Sequence, residues 1–272
     1  MRKITRITTQ KKRKDRYNIY LSEGQTEVYG FSVDEAILVE FQLRKGLELD
    51  DSLIETLIEK DTIQKSYSLA INYLSYRMRT KKEMNDYLVK KEVEPDHIDI
   101  IIERLIKEKL LDDKLFAEMF VRTRMNTSYK GPLLIKKELM DKGVASLIAS
   151  HAVEEYPYEV QYEKISKLIE KKLQKSNKDS FQKQIQKIQA NILQKGFNQA
   201  IITDVLSEMK EEKNEDMEWE AVVYQGDKLL RKHARKHEGY MLKNKLKEGL
   251  YRKGFTMELI NRYLDEFVEG TE

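Results

Sequence analysis

One short phrase recurs along this chain and constrains its fold more than any other feature. LMDKGV at 139–144, ILQKGF at 192–197 and LYRKGF at 250–255 share one frame. Leucine or isoleucine stands four residues before a glycine, lysine one before it, and valine or phenylalanine one after. LVKKEV at 88–93 keeps the frame but puts Glu92 in the glycine's place. The copies lie about 51, 53 and 58 residues apart, within or just beyond the range of helical repeats. A glycine closing an apolar helical stripe lets the chain turn left-handed at least cost, and the next apolar residue can pack back on the last turn. Each phrase is therefore expected to join the second and third helices of a three-helix unit. Glu92 lacks that freedom, so the first unit is expected to turn differently, helped by Pro95.

The flanking sequence supports this frame. Only 3 prolines and 11 glycines punctuate 272 residues, which favours long helices. Ile63, Tyr67, Ala70, Ile71 and Leu74 form an apolar stripe at helical spacing. Thr80 and Glu83 make a capping box that opens a second helix. Pro95 suits the first turn of a third, with Ile98, Ile101, Ile102, Leu105 and Ile106 facing inward. The first 60 residues differ. Tyr17, Ile19 and Leu21 alternate with polar neighbours, EGQ at 23–25 offers a turn, and Tyr29 and Phe31 alternate again, with a further strand near Ile4. Ser32 and Glu35 are expected to cap a helix ending at Gly46, and Leu53, Ile54, Leu57 and Ile58 to form another short one. This segment is basic through Arg16 and acidic from Asp34 to Asp61.

The expected architecture is mainly all-α: tandem three-helix repeats in an elongated array, with a small N-terminal β-containing segment. The boundaries are 1–61 for that segment and 62–111, 112–156, 157–214 and 215–272 for repeats one to four. An acidic tract at 208–220, net about −5, is expected to be a solvated connector between the last two repeats.

Charge recurs in phase with the repeat. Near the end of each first helix stand Arg77, Arg79, Lys81 and Lys82; then Arg122, Arg124 and Lys130; then Lys171, Lys172 and Lys175; then Arg231, Lys232, Arg235 and Lys236. Cations there complement the helix dipole by about 0.3–1 kcal/mol each. One or two would serve that purpose, whereas each cluster holds three or four. The surplus predicts a ridge that meets a polyanion or an acidic surface. Tyr73, Tyr76, Tyr129 and Tyr240 lie nearby and are expected to cover helix seams, with base stacking the alternative. Trp219 is expected to anchor the fourth core and His151 to be buried. KKRK at 11–14 reads as a solvated hairpin edge.

Several functions are disfavoured. There are 0 cysteines, so disulfides and thiolate metal sites are excluded. His233 and His237 have the i, i+4 spacing of paired ligands, but HARKH lacks a metalloprotease glutamate and three cations would repel a metal. No phosphate loop, nucleophile elbow or apolar carboxylate pair is present. We expect no enzyme activity, no cofactor and no metal. No apolar run reaches membrane-spanning length and no apolar segment follows the basic start, so a cytoplasmic, monomeric protein is expected.

Two segments, YLSYRMRTKKEM at 73–84 and LLDDKLFAEMFVRTR…GPLLIKKELMDKGV within 110–144, resemble the RecX family of regulatory proteins, modulators of the bacterial RecA recombinase. Arg77, Arg79, Thr80 and Glu83 match the family's first-repeat pattern. Asp113, Phe116, Ala117, Phe120, Arg124, Gly131, Leu139, Lys142 and Gly143 match its second. The two later units, with Gly196 and Gly254, and the β segment resemble the long members found in Gram-positive bacteria. The resemblance implies binding to the RecA filament on DNA, weak binding to single- or double-stranded DNA, and mainly inhibition of RecA in recombination, repair and the SOS response. Charge and periodicity alone leave a rival, a DNA-binding transcription regulator of the helix-turn-helix type.

Overall fold

The structure is a computed structural model, and it describes residues 1–173, 178–209 and 215–268. The chain opens with strands β1 (Arg2–Thr9), β2 (Arg16–Glu23) and β3 (Thr26–Asp34), helix α1 (Glu35–Glu40) and the short β4 (Glu48–Leu49). The antiparallel sheet has the order β3-β2-β1-β4. Gly24, at φ 62°, turns the β2–β3 hairpin. Ile19, Leu21, Phe31 and Val33 alternate inward and meet Ile4, Ile37, Leu43, Leu49 and Leu57 in one core. Tyr29 departs from the alternation. Ile19 pairs with Phe31 and Tyr20 with Tyr29, leaving Gly30 as an extra bulged residue. A β-bulge shifts the facing of the residues beyond it, so Tyr29 lies 57% exposed, edge-on to Tyr20.

Two expectations for this segment are corrected. Asp34, not Ser32, caps α1, accepting from the Ala36 amide, and the helix ends at Glu40. Ser32 remains in β3, where its hydroxyl accepts from Arg16. The two helices expected around position 60 are one, α2 (Asp51–Tyr76, 26 residues). The apolar stripe looked broken because a carboxylate sits on its inner face. Asp61, 2% exposed, takes both Nη1 and Nη2 of Arg16 at 3.1 and 2.7 Å, the Asp34 amide at 2.8 Å and Lys65 at 2.8 Å. The opposite charges noted at the two ends of the segment thus meet in a buried pair, which holds the sheet on α2.

All that follows is helical. Repeat one is the C-terminal half of α2 with α3 (Lys81–Lys90) and α4 (Pro95–Lys107). Thr80 and Glu83 form the capping box, and Pro95 occupies the first turn of α4. Met84, Leu88, Ile98, Ile101, Ile102 and Leu105 fill its core with Ala70 and Leu111, while Ile106 faces solvent. Repeat two is α5 (Asp113–Thr127), α6 (Pro132–Asp141) and α7 (Ser146–Glu154). Repeat three is α8 (Tyr158–Leu173), α9 (Phe181–Gln194) and α10 (Gln199–Met209), around Ile165, Ile169, Ile192, Phe197 and Ile202. Repeat four is α11 (Glu215–His233), α12 (Gly239–Tyr251) and α13 (Met257–Phe267), around Val222, Leu246, Leu250, Phe255, Ile260 and Tyr263.

By packing, the chain divides into two compact units. One is Met1–Phe116 with Lys142–Val144; the other is Ala117–Asp141 with Ala145–Glu272. The turn after α6 therefore belongs with the first repeat, although its sequence belongs to the second.

Candidate partner surface and the joints that position it

The recurring phrase forms the expected turn. Gly143, Gly196 and Gly254 have φ of 88°, 84° and 86°. Phe197 donates to the Ile192 carbonyl and Phe255 to that of Leu250, closing the helix end. Glu92 makes the same turn at φ 58°, with Val93 donating to Leu88. The expectation that the first unit turns differently is thus wrong.

The reason for glycine lies in the neighbouring repeat. The Lys142 carbonyl accepts from Oγ1 of Thr80, the N-cap of α3, at 2.7 Å. The Lys195 carbonyl accepts from the Gly131 amide at 2.7 Å, and the Gly196 carbonyl from Leu133 at 3.0 Å, at the start of α6. The Lys253 carbonyl accepts from Oγ of Ser180, the N-cap of α9. In each joint, the turn of one repeat lies on the N-terminus of the second helix of the repeat before it. A Cβ at Gly143 would overlap Lys82, and one at Gly196 would overlap backbone and side chain of Leu134. Glu92 has no preceding repeat to meet, so its side chain is tolerated.

Carboxylates complete two joints. Asp113 accepts from the Lys81 amide at 2.8 Å, and Glu218 from the Phe181 amide at 2.7 Å. Both amides are the first of their helix. In the middle joint that residue is Pro132, which has no amide hydrogen to satisfy. Glu218 also corrects the acidic connector: Glu215, Asp216 and Glu218 lie in the first turn of α11, where they complement its dipole. Residues 210–214 of that tract lie outside the described residues.

The joints place a cationic cluster at the end of each first helix, and the clusters are not equivalent. In repeat one, Arg77 is exposed but paired, its Nη atoms 3.1 and 3.2 Å from the Glu83 carboxylate. Lys142 Nζ reaches the same carboxylate at 2.8 Å. Burial opposes the charged form of Glu83, but Arg77, Lys142 and the Thr80 amide outweigh it and hold the carboxyl down at about 2. Arg79 is held differently. Its guanidinium lies 3.9 Å over the Tyr73 ring, which stacks on Tyr87 with centroids 3.9 Å apart. It has no carboxylate partner among the described residues, and its Nε is buried without a hydrogen bond. Lys81 and Lys82 are exposed on α3.

Repeat two repeats the pairing. Arg124 donates to Glu138 at 3.0 Å and lies over Phe120 at 4.8 Å. Lys130 shares that carboxylate, whereas Arg122 is exposed. Lys171 and Lys172 close α8, and Lys175 lies outside the described residues. In repeat four, Arg231, Lys232 and Arg235 line an open groove of about 440 Å³ along α11 with Tyr224, Asp227 and Lys228. Lys236 follows, exposed, and no ion pair to these cations is found among the described residues. Sequence spacing does not mark Glu83 and Glu138 as neutralisers, because they lie 6 and 14 residues from their arginines.

Other expectations fare unevenly. Phe116 is buried and Phe120 partly so. Gly131 is buried where a Cβ would overlap Gly196 and Phe197. Tyr73 covers a seam, but Tyr76 and Tyr240 are 83% and 78% exposed and Tyr129 is exposed too. His151 is exposed beside Glu154, not buried. Trp219 is half-buried at the edge of the fourth core, under Arg262 at 3.9 Å. KKRK at 11–14 lies exposed in the β1–β2 turn. His233 and His237 stand 6.2 Å apart, and no group of three metal-capable side chains occurs among the described residues. No helix of the described residues is long and apolar enough to cross a membrane.

Known proteins share this plan. Residues 2–50 match the model of the regulatory protein RecX N-terminal domain. Residues 67–105 match that of the RecX first three-helix domain, and 112–153 that of the second. The model of the third three-helix domain matches twice, at 159–206 and 215–264. The regulatory protein RecX of Oceanobacillus iheyensis is 53% identical over 270 residues, covering 99% of both chains. That of Bacillus cytotoxicus is 43% identical over 261 residues, covering 96% of each. A crystal structure of regulatory protein RecX superposes with a TM-score of 0.67 at 35% identity, covering 75% of this chain and 100% of its own. One of RecX from Lactobacillus salivarius gives 0.54 at 41% identity, covering 56% and 99%.

Proposed function

Because this chain belongs to the RecX family of regulatory proteins, we propose that it acts in the cytoplasm, as a monomer, by binding the RecA filament on DNA and chiefly restraining RecA in recombination and repair. The supporting observation is the in-phase placement of cations at the first-helix ends, with a subset that meets no acid within the described fold. Arg79 on its tyrosine platform, Arg231 and Lys232 at the end of α11, and Arg235 and Lys236 in the turn after it form that subset. A stacked guanidinium is pre-oriented and loses little freedom when it binds a carboxylate or phosphate in bidentate fashion. Several such contacts on one chain combine through effective concentration, so avidity exceeds the affinity of any single repeat.

The test is a titration against RecA, single-stranded DNA and the RecA–DNA filament, each at two salt concentrations, with RecA ATPase and strand exchange as readouts. Arg79→Ala should weaken filament binding about tenfold while leaving the melting temperature within a few degrees, a loss of roughly 1.4 kcal/mol. Arg77→Ala should lower stability instead, because it strips a partner from Glu83. Unchanged inhibition by a variant lacking Arg79, Arg231, Lys232 and Arg235 together would overturn the reading. Strong preference for one duplex sequence would favour a transcription regulator.

A further inference from the structure

One position differs in charge among the three joints. The third position of the second helix, three after its N-cap, is Glu83 in α3, Leu134 in α6 and Lys183 in α9. The lysine that precedes each glycine is Lys142, Lys195 and Lys253. In the first joint these two positions form an ion pair, Lys142 with Glu83 at 2.8 Å. In the second, an aliphatic side chain stands where the acid was. In the third, a lysine stands there, and Lys183 and Lys253 line the same cleft of about 310 Å³. Gln182, Gln186 and Tyr251 line it too.

The arrangement is unfavourable on two counts without a ligand. A cation in the first turn of a helix opposes the helix dipole, and α9 has no acidic residue in its own first turn. Like charges converge as well. Burial, then Lys183 and Lys228, and further on Lys187, push the Lys253 ammonium below its usual range, with only Asp179 acting against them. The nearby acids have partners: Asp179 meets Lys187, Glu248 meets Arg252, and Glu218 accepts the Phe181 amide. A bound anion would supply the charge that Glu83 supplies in the first joint. The two amide side chains fit an oxyanion with several acceptor oxygens, each able to take a donated hydrogen bond.

We propose that the cleft at the joint of repeats three and four is a phosphate-binding site, in which Lys183 and Lys253 clamp the oxyanion and Gln182 and Gln186 donate to it. Lys228, close enough to act on the Lys253 ammonium, lines the basic groove along α11. A phosphate held in the cleft could be free or part of a nucleic acid strand continuing along that groove. The site is independent of any action on RecA and is tested without it.

The experiment uses the full-length protein with inorganic phosphate, pyrophosphate and a short oligo-dT, against sodium chloride at matched ionic strength. Melting temperature and the side-chain amide NMR signals of Gln182 and Gln186 are the readouts. Phosphate should stabilise the protein beyond chloride and move both amide signals. Lys183→Glu rebuilds the pair of the first joint, so it should raise the melting temperature without phosphate and weaken phosphate binding at least tenfold. Lys183→Gln should weaken binding without that gain, which keeps the test open if the charge reversal misfolds. Tighter binding of pyrophosphate than of oligo-dT would assign a small ligand, and the reverse a strand; either supports the site if Lys183→Gln weakens it. No effect of phosphate beyond ionic strength, or an unchanged response in both variants, would overturn it.

Discussion

At the scale of single residues, the Glu83 carboxylate ties three segments of the chain together. It closes the capping box of α3, receives Arg77 from the end of α2 and receives Lys142 from the turn of repeat two. Its carboxyl sits at about 2 in the fold, well below the 4.5 of a free glutamate. A depressed folded value means that the unfolded chain binds the proton more tightly. The stabilisation is therefore fully present above about pH 4.5 and is lost as pH falls toward about 2. Glu83→Gln should destabilise the protein at pH 7 by on the order of 1–2 kcal/mol, after allowance for solvent reach. Its deficit should shrink below pH 4.5 and vanish near pH 2. Urea denaturation of both proteins across that range checks this, and a deficit independent of pH would mean that packing, not charge, holds the joint.

At the scale of elements, the glycine turn carries two demands that sequence alone cannot separate. One is a left-handed backbone, the other is close approach by a neighbouring helix. Glu92 meets the first without the second. Gly196→Ala must violate both, adding about 1–2 kcal/mol of left-handed strain to the overlap with Leu134, which costs roughly another 1–3. Glu92→Gly relieves strain and disturbs no joint, so it should be neutral or stabilising by up to about 1 kcal/mol. Thermal melts of the two variants should move in opposite directions or differ by many degrees. The contrast also shows what was legible. Helix number in the repeats, the Thr80 cap and the inner faces follow from local chemistry and period, so they could be read. The cores announce themselves through residues such as Ile101 and Ile192, which recur at helical spacing. The joints pair residues 62 to 73 positions apart through backbone carbonyls, which leave no trace in side-chain identity. The fate of Arg77 and Arg124 was hidden for a related reason: whether a charge is free depends on where a distant or offset acid lands. Asp61 is a buried charge on an apolar face, and in a sequence such a residue mimics a helix break.

At the scale of the whole molecule, the chain is a series of like joints with unlike ends. The first repeat offers a turn with no preceding repeat to receive it. The last offers the N-terminus of α12, where Glu238 makes no side-chain cap bond and a Cβ on Gly239 would meet nothing within 4 Å. In such a series, stability is the sum of each repeat's own contribution and its nearest-neighbour terms. Ending the chain at residue 209 removes repeat four, with the Lys253 carbonyl from Ser180, the Glu218 carboxylate from the Phe181 amide and the Gln225 amide from the Lys178 carbonyl. The joints at Thr80 and Gly131 are untouched. The shortened protein should keep the helicity per residue of the intact chain and melt cooperatively at a lower temperature, with the loss concentrated at the start of α9. Hydrogen exchange should quicken in the first turn of α9 and stay unchanged in α3. If the cations of α11 grip the filament as proposed, inhibition of RecA ATPase should weaken by several fold without disappearing. Loss of cooperative folding throughout the shortened chain would instead make the four repeats one inseparable unit. Full inhibition by it would move the filament contact to the first three.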